Sequence, residues 1–258
     1  MKIDSDCVSF LFMKKIHLYL IATVLIALAS CNKSTETLGS KEIAEYAPYT
    51  VGKYISYQLD SLLYINFGTK DTTVSYQVKY YVDAQIKDNL GRDAFRIIRY
   101  IRKTADDAWR SDNTFMAVPT GRTLEFIENN QRFIKLAKPI KDDFSWKGNI
   151  YIDTYSFDSD VKYLDDWDYT YQNVDMPLSI GSYSFDSTLT VNQRDEVLND
   201  PNNPEVYSEI NTGIEKYAKG VGMIYKKFWH REYQPPTPGG TQGYSIGYGI
   251  TLSIIDHN

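Results

Sequence analysis

The feature that most restricts the fold of this sequence is a long run of alternating side chains. From residue 74 to residue 86 every even-numbered position is apolar or small, and the odd-numbered positions are mostly polar. A period of two places the two sets on opposite faces of a β-strand, so the run predicts a long antiparallel strand with one wet face. Residues 244–254 alternate in the same way, with Gly247 and Gly249 on one face, where glycine indicates tight curvature or a close neighbour.

Further segments contain the β-branched and aromatic residues that half-buried sheets prefer. They are 53–63, 94–102, 122–127, 133–137, 150–157, 183–192, 205–218 and 221–232. Turn-forming residues separate them, among them Asn129-Asn130, a pair suited to the positive φ values of a tight hairpin turn. Single helical turns are expected only at 41–46 and 106–109. The sequence therefore predicts a mainly β fold with little helix: a curved antiparallel meander sheet packed on itself, as a half-barrel or β-sandwich.

The N-terminal region carries the one specific motif. Met13-Lys14-Lys15 is followed by an apolar run over 16–27 and then by Leu28-Ala29-Ser30-Cys31. A basic start, an apolar run too short to span a bilayer and small residues before a cleavage site are typical of a secretory signal. Residues 1–30 are therefore expected to be a signal peptide, with Met13 as the natural start and 1–12 as an upstream extension.

The end of this signal resembles the lipobox of bacterial lipoproteins. The resemblance implies a diacylglycerol on the thiol of Cys31 and cleavage before that residue, and two or three acyl chains give stable membrane anchoring where one does not. Asn32 follows the cysteine, which by the same resemblance favours the outer membrane and leaves open whether the domain faces the periplasm or the medium. Residues 31–47 are expected to form the lipidated cysteine and a flexible tether, and 48–258 a single β-rich domain.

The composition of the mature chain disfavours several classes of function. Residues 31–258 contain 25 basic and 31 acidic side chains, a net charge of −6 without a basic cluster, so nucleic acid is not an expected partner. Cys31, His230 and His257 are the only cysteine and histidines in this region. An intramolecular disulfide is excluded, and neither a metal centre nor a catalytic triad is expected. We predict no catalytic residue, no cofactor and no metal, and hence a protein that is not an enzyme.

An acidic stretch offers two alternatives to this view. Residues 158–180 are dense in aspartate and could ligate Ca²⁺, but the spacing after Asp158 lacks the pattern of an EF-hand, and a solvated excursion is the preferred interpretation. Asp165, Asp166 and Asp168 are candidates for a glycosidase pair, which requires carboxylates roughly 5–10 Å apart. With so many acidic side chains, chance pairs are inevitable, so this alternative is also disfavoured.

Aromatic residues are the notable surplus, with 22 Tyr, 11 Phe and 4 Trp. Tryptophans 109, 146, 167 and 229 lie in or near predicted loops and strand ends, where aromatic faces can stack on sugar rings or apolar ligands. Trp109, Trp146, Trp167 and Trp229 are therefore candidate ligand contacts, although aromatic residues also simply fill sheet faces. Gly220 and Gly222 lack phosphate-loop spacing and instead predict a bulge or bend between two strands.

Three parts of the chain carry a family resemblance: 49–57, 128–133 with 144–149, and 216–225. They resemble the uncharacterised lipoproteins of Bacteroidota, in which a Gly-x-Tyr/Trp-x-x-Tyr first strand and a Tyr-Ala-x-Gly-Val-Gly penultimate strand recur. Here these motifs read Gly52 to Tyr57 and Tyr217 to Gly222. The resemblance covers most of residues 48–233, and it implies an outer-membrane or periplasmic lipoprotein with one β-rich domain and no transferable catalytic residues.

Three functions follow as expectations. The favoured one is a membrane-anchored envelope lipoprotein whose non-enzymatic β domain binds a ligand or partner protein, which predicts a concave or exposed aromatic patch without convergent titratable groups. A glycan-binding or glycan-degrading accessory lipoprotein would expose at least two of the four tryptophans at a rim. A lipid or lipoprotein carrier would need an apolar cavity inside a half-barrel.

Overall fold

A single antiparallel sheet of twelve strands, nearly closed into a barrel, forms the protein. The structure is a computed structural model and describes residues 41–240 and 242–258. The predicted signal peptide, Cys31 and residues 32–40 of the predicted tether lie outside the described residues. The sheet confirms the predicted fold class, a mainly β protein built as a curved antiparallel meander.

The described chain contains twelve strands and one short α-helix. The helix is α1 (Ile43–Tyr46), and the strands are β1 (Tyr54–Ile65), β2 (Lys70–Lys87), β3 (Asp93–Arg102), β4 (Arg110–Pro119), β5 (Thr123–Glu128), β6 (Gln131–Ala137), β7 (Ser145–Lys147), β8 (Asp168–Ile180), β9 (Tyr183–Leu198), β10 (Ser208–Ala218), β11 (Gly222–Gln234) and β12 (Tyr244–His257). A 3₁₀ turn, Lys162–Leu164, precedes β8. Within the described ranges, no helix has the length and apolar character needed to cross a membrane.

The strand order explains how the sheet curls on itself. It runs β6-β5-β4-β3-β2-β1-β12-β11-β10-β9-β8-β7, so the first and last strands pair in the middle and two sequence neighbours, β6 and β7, form the edges. These edges meet, because the amide of Ile134 donates a hydrogen bond to the carbonyl of Gly148 at 2.8 Å. The indole of Trp146 also donates to the carbonyl of Ile134, at 2.8 Å.

Because every strand reverses the chain direction, the connections alternate between the two ends of the barrel. We define the entry end as the one where the chain enters β1; it carries α1 and the β2–β3, β4–β5, β8–β9 and β10–β11 turns. We define the far end as the opposite one. It carries the β1–β2, β3–β4, β5–β6, β9–β10 and β11–β12 connections, together with residues 148–167 between β7 and β8.

Both alternating runs of the sequence are strands. Residues 74–86 lie in β2 and 244–254 lie in β12, as predicted. The prediction of a close neighbour at the glycines of β12 is confirmed, since a Cβ at Gly247 would collide with the carbonyl oxygen of His230 and one at Gly249 would lie 3.0 Å from Leu62. Gly247 also has φ +114°, a backbone conformation that side chains disfavour.

Other predicted elements need correction. The predicted strand at 150–157 is wrong, because this segment is a series of turns in which the Asp153 carboxylate accepts hydrogen bonds from the backbone of Tyr155 and Ser156 at 3.1 and 3.0 Å. Such local bonds compete with a strand ladder. The predicted excursion at 158–180 is wrong in its second half, which forms β8. β4 and β7 were not predicted, and residues 106–109 form no helical turn.

The start of the domain also differs from the prediction. The helical turn expected at 41–46 is present as α1, but the prediction of a flexible tether is wrong for the described residues 41–47. Ile43 and Tyr46 are buried in the core because they are the apolar face of α1. The hydroxyl of Tyr46 donates a hydrogen bond to Asp175 of β8 at 2.6 Å. The folded domain therefore includes α1.

The β5–β6 hairpin confirms the predicted Asn129-Asn130 turn and allows a stability test. Both residues have positive φ, 51° and 62°, which a β-branched side chain tolerates poorly. We expect Asn130→Val to lower the free energy of unfolding by about 1–2 kcal/mol, and Asn130→Gly to leave it unchanged or slightly higher, as measured by urea denaturation. Equal stability of the two variants would contradict the assigned turn.

Candidate functional site

Four charged side chains, two from the neighbouring strands β5 and β6 and two from the neighbouring strands β10 and β11, meet inside the barrel. Lys135 of β6 lies 2.8 Å from Glu215 of β10 and 3.3 Å from Glu128 of β5. Lys226 of β11 lies 3.1 Å from Glu128 and 3.8 Å from Glu215. The hydroxyl of Tyr217 donates a further hydrogen bond to Glu215, at 2.7 Å. We call the four charged residues the central ion cluster; its charges alternate in sign and sum to zero.

The central ion cluster holds Glu128, Glu215 and Lys135 in their charged forms. Burial alone would raise the pKa of Glu128, but Lys226 and Lys135 outweigh it and lower this pKa to about 2. Burial would likewise raise the pKa of Glu215, yet Lys135 and Lys226 bring it below its usual value. Burial would lower the pKa of Lys135, and Glu215 and Glu128 instead raise it above its usual value. None of these three groups is therefore poised to exchange protons near neutral pH.

The electrostatics of the cluster predict an acid-sensitive fold. The pKa of Glu128 is lowered in the folded state, so its contribution to stability is full above the unfolded-state value of about 4.5 and is lost as the pH falls towards 2. We expect stability to fall by about 3 kcal/mol over this interval through Glu128 alone. Thermal unfolding at a series of pH values should show a shallower slope in Glu128→Gln than in the exposed control Glu205→Gln. Parallel curves for the two variants would rule out this contribution.

The cluster separates two internal chambers, since Glu128, Lys135 and Lys226 line both of them. The entry-end chamber has a volume of about 80 Å³ and lies beneath the segment that joins α1 to β1. Its wall is mainly tyrosine and aliphatic side chains, including Tyr49 and Tyr80. This volume suffices for two or three water molecules at about 30 Å³ each.

The far-end chamber is larger and strongly aromatic. Its volume is about 200 Å³. The aromatic residues of its wall are Phe133, Tyr163, Trp167, Tyr169, Phe228 and Tyr248. Asn129 of the β5–β6 turn and Val161 and Leu164 of the segment 148–167 also line it, so the chamber opens towards the far end.

Neighbouring rings hold this aromatic wall in place. The ring of Tyr163 stacks on His230 with centroids 3.9 Å apart, and the indole of Trp167 donates a hydrogen bond to the carbonyl of Tyr163 at 2.7 Å. Phe228 packs against Trp167 and Tyr248 at centroid distances of 6.0 and 5.1 Å. The wall is consequently an ordered surface, which suits a preformed binding site.

One polar group in the far-end chamber lacks a partner. The side chain of Gln193 in β9 lines the chamber and is 3% exposed, yet no described residue accepts a hydrogen bond from its buried Nε2. A buried amide without a partner loses its hydration without compensation, so natural proteins rarely leave one. The Nε2 atom itself has essentially no accessible surface, so Gln193 is an unsatisfied polar group of the barrel interior beside the far-end chamber.

Exposed apolar side chains gather around the far end. Phe67 at the β1–β2 turn and Phe157 in the segment 148–167 are essentially fully exposed. The others at this end are Leu63, Ile65, Ile150, Tyr151, Tyr155, Val197, Leu198, Val206, Tyr244, Ile246 and Tyr248. Exposed apolar residues that are clustered often form a site of interaction with another molecule, whereas single scattered ones are normal on protein surfaces.

The structure places the four predicted tryptophans in different environments. Trp167 is buried and lines the far-end chamber. Trp146 lies at the junction of β6 and β7, and Trp109 is half-buried beneath Lys79 and Arg102. Trp229 is half-buried and lines a third cleft, of about 410 Å³. The four do not form one site, and only Trp167 contributes to the far-end chamber.

The acidic candidates take part in local contacts. Asp166 and Asp168 both pair with Lys147, at 2.6 and 2.9 Å, and Asp165 accepts a hydrogen bond from Thr154 at 2.7 Å. Across the described residues, no group of three or more histidine, cysteine, aspartate or glutamate side chains is arranged to hold a metal ion.

The central ion cluster and the buried Gln193 were not predicted from the sequence. The expectation of an aromatic patch without convergent titratable groups is wrong for the interior, where Lys135 and Glu215 converge although 80 positions separate them. The sequence contains one local signal of the cluster: Lys135 is the only charged residue in the otherwise apolar segment 133–137. A lysine buried at such a position requires a partner of opposite charge.

Comparison with known proteins adds no relative. No protein-family model matches the sequence, and no curated protein is significantly similar to it. The resemblance to Bacteroidota lipoproteins stays a prediction.

Proposed function

We propose that this protein is a lipoprotein of the cell envelope, anchored in the outer membrane through lipid on Cys31, whose β domain binds a ligand without chemically changing it. The far-end chamber is the observation that carries the binding part of the proposal. It combines an ordered aromatic wall with a volume of about 200 Å³. A filled core would not offer this space.

The state of the interior charges supports binding rather than catalysis. General acid or base chemistry works best with a group whose pKa lies near the working pH. In the central ion cluster, Glu128 and Glu215 are held ionised and Lys135 is held protonated. Their ion pairs connect β5 and β6 with β10 and β11 across the barrel interior. The same ion pairs hold in place the charged side chains that line the chamber.

The position of the chain entry supports an arrangement on the membrane. The described chain begins at the entry end, ten residues after Cys31, a length that spans at most about 35 Å when extended. A lipid on Cys31 would keep the entry end near the bilayer. The far-end chamber and the exposed apolar residues around it would then face away, towards ligands and envelope proteins.

The anchoring is tested by metabolic labelling. Cells that express the full chain should incorporate labelled palmitate into it, and the protein should remain with the membranes after alkaline extraction. Cys31→Ser should abolish the label and release the protein, whereas Cys7→Ser should change neither. Full labelling or unchanged membrane attachment of Cys31→Ser would refute the proposed anchor.

The two alternative functions have weaker support. None of the four tryptophans is exposed in the described structure, whereas a glycan platform was expected to present at least two at a rim. The entry-end chamber, at about 80 Å³, is smaller than a cavity of about 150 Å³ that accepts one benzene molecule. The acyl chain of a lipid needs more space than the entry-end chamber, at about 80 Å³, or the far-end chamber, at about 200 Å³, provides.

A further inference from the structure

We infer that a cleft on the outer wall of the barrel binds a sugar unit that carries a carboxylate group. This cleft is the one that Trp229 lines, with a volume of about 410 Å³, and we call it the outer cleft. It is separate from the far-end chamber, so it adds a second binding site to the proposed function. Three observations lead to this inference: the face of the sheet on which the cleft lies, its unpaired arginine and its aromatic rings.

The outer cleft and the far-end chamber lie on opposite faces of β11. Successive side chains of a strand point to opposite faces of the sheet. Phe228 lines the far-end chamber, so Trp229, Arg231 and Tyr233 face outwards, and all three line the outer cleft. Tyr64 of β1 also lines the cleft, which therefore extends across β12, the strand between β1 and β11.

Arg231 is the group that binds the carboxylate. Its Nε donates a hydrogen bond to the hydroxyl of Ser245 at 3.1 Å, and its guanidinium lies 5.3 Å from the centre of the Tyr233 ring. Both neighbours line the same cleft. Among the described residues, neither Nη atom has a hydrogen-bond or ion-pair partner, and neither is a buried unpartnered atom. The guanidinium is thus held in place with two donors free, and such a pair binds a carboxylate through two parallel hydrogen bonds.

The other charges of the cleft also favour an anion. Lys70 and Asp71 line the cleft, are exposed and have opposite signs. With Arg231, the cleft contains two positive side chains and one negative one, although residues 31–258 carry a net charge of −6. A cleft with this excess of positive charge attracts an anion to an otherwise acidic protein.

The aromatic rings favour a sugar over a bare anion. The indole of Trp229 donates a hydrogen bond to the hydroxyl of Tyr64 at 3.1 Å, and the hydroxyl of Tyr233 donates one to the carbonyl of Pro204 at 3.0 Å. All three rings are partly exposed, and ordered aromatic rings can stack on the C–H faces of a sugar. One tryptophan and two tyrosines thus replace the two exposed tryptophans that the sequence led us to expect of a glycan platform.

The polar lining of the cleft favours a sugar over an aromatic carboxylate. Thr69, Lys70, Asp71 and Ser245 line the cleft beside the rings. The hydroxyl groups of a sugar can replace the water that solvates such side chains. An aromatic carboxylate would displace this water without replacing its hydrogen bonds, which lowers affinity.

Methyl glucuronide and methyl glucoside form a matched pair of probes, because the first carries a carboxylate where the second carries a hydroxymethyl group. Each is titrated into the isotope-labelled full chain, purified in detergent, while NMR follows the indole N–H resonances. We expect the resonance of Trp229 to shift and those of Trp146 and Trp167, which do not line the outer cleft, to stay. The dissociation constant of the glucuronide should be about tenfold lower than that of the glucoside.

Two variants assign this preference to Arg231. Arg231→Gln should abolish the preference for the glucuronide. Lys227→Gln is the matched control, since it removes one positive charge from the same face of β11 outside the cleft, and it should retain the preference. Unchanged resonances of Trp146 and Trp167 in Arg231→Gln show that the barrel is intact, and the comparison of the two sugars on the unmodified protein needs no variant.

Each contrary result refutes a stated part of the inference. Equal dissociation constants for the two sugars, or a preference that survives Arg231→Gln, would refute the role of Arg231. Acetate or inorganic phosphate that shifts the Trp229 resonance at concentrations as low as the glucuronide does would refute the sugar. A shift of Trp167 in place of Trp229 would move the sugar into the far-end chamber, and no shift with either sugar would refute the outer cleft as a sugar site.

Discussion

Replacing Lys135 with methionine is expected to lower the free energy of unfolding by about 3–5 kcal/mol, the usual effect of removing one partner from a buried ion pair. Methionine fills a similar volume, so the loss comes from electrostatics rather than from a cavity. Without Lys135, Glu215 keeps only Lys226, at 3.8 Å, and the hydroxyl of Tyr217. Equilibrium denaturation in urea at neutral pH measures the effect.

The chain offers two controls for this variant. Lys227 is exposed on β11, next to a member of the cluster, and Lys227→Met should change stability by less than about 0.5 kcal/mol. The double variant Lys135→Met with Glu215→Leu removes one charge of each sign and leaves Glu128 paired with Lys226. It should recover most of the lost stability, because apolar replacement of a whole buried pair is often neutral. A double variant less stable than Lys135→Met would contradict the assigned pairing.

Trp167→Ala is the second substitution with a large expected effect, a loss of about 3–5 kcal/mol. The side chain is 2% exposed and belongs to the main apolar core, where it packs against Phe228. Its removal leaves a cavity that joins the far-end chamber and leaves the carbonyl of Tyr163 without its donor. Thermal and urea unfolding should both report the loss.

Trp109→Ala is the matched control, because it deletes the same side chain from a half-buried position. Trp109 lies beneath Lys79 and Arg102, at 4.7 and 4.3 Å from its ring, and outside the apolar core. Its loss should reduce stability by only about 1 kcal/mol. If both variants lost equal stability, the assignment of Trp167 to the core would be wrong.

Much of the sheet could be predicted because its strands pair mainly with their neighbours in the sequence. Alternation over 74–86 and the Asn129-Asn130 turn are local signals, and each specifies a strand or a hairpin by itself. One error falls where hydrogen bonds from a side chain to the nearby backbone outweigh a strand-like composition. Residues 150–157 have a strand-like composition, yet they cover the far end in turns fixed by Asp153, and their aromatic side chains face solvent.

The candidate site was less predictable because it depends on contacts between distant parts of the chain. Its parts come from strands that the sequence keeps far apart, and the alternation that predicts a strand does not reveal which strands will face each other across a barrel. Lys135 and Glu215 are ordinary charged residues in their own segments, and Gln193 is one polar residue among many in β9. Of the four tryptophans, Trp167 alone lines the far-end chamber, and its burial depends on residues of distant strands.

The central position of β12 has a consequence for the timing of folding. β1 to β6 and β7 to β11 each form an uninterrupted series of neighbouring pairs, and β12 joins the two series within the sheet, through β1 on one side and β11 on the other. β12 follows the other eleven strands in the chain and therefore completes the pairing of the sheet. The pairing of β1 with β12 joins residues about 200 positions apart, and contacts of such high sequence separation form slowly. We therefore expect the β1–β12 pairing to be a late step of folding.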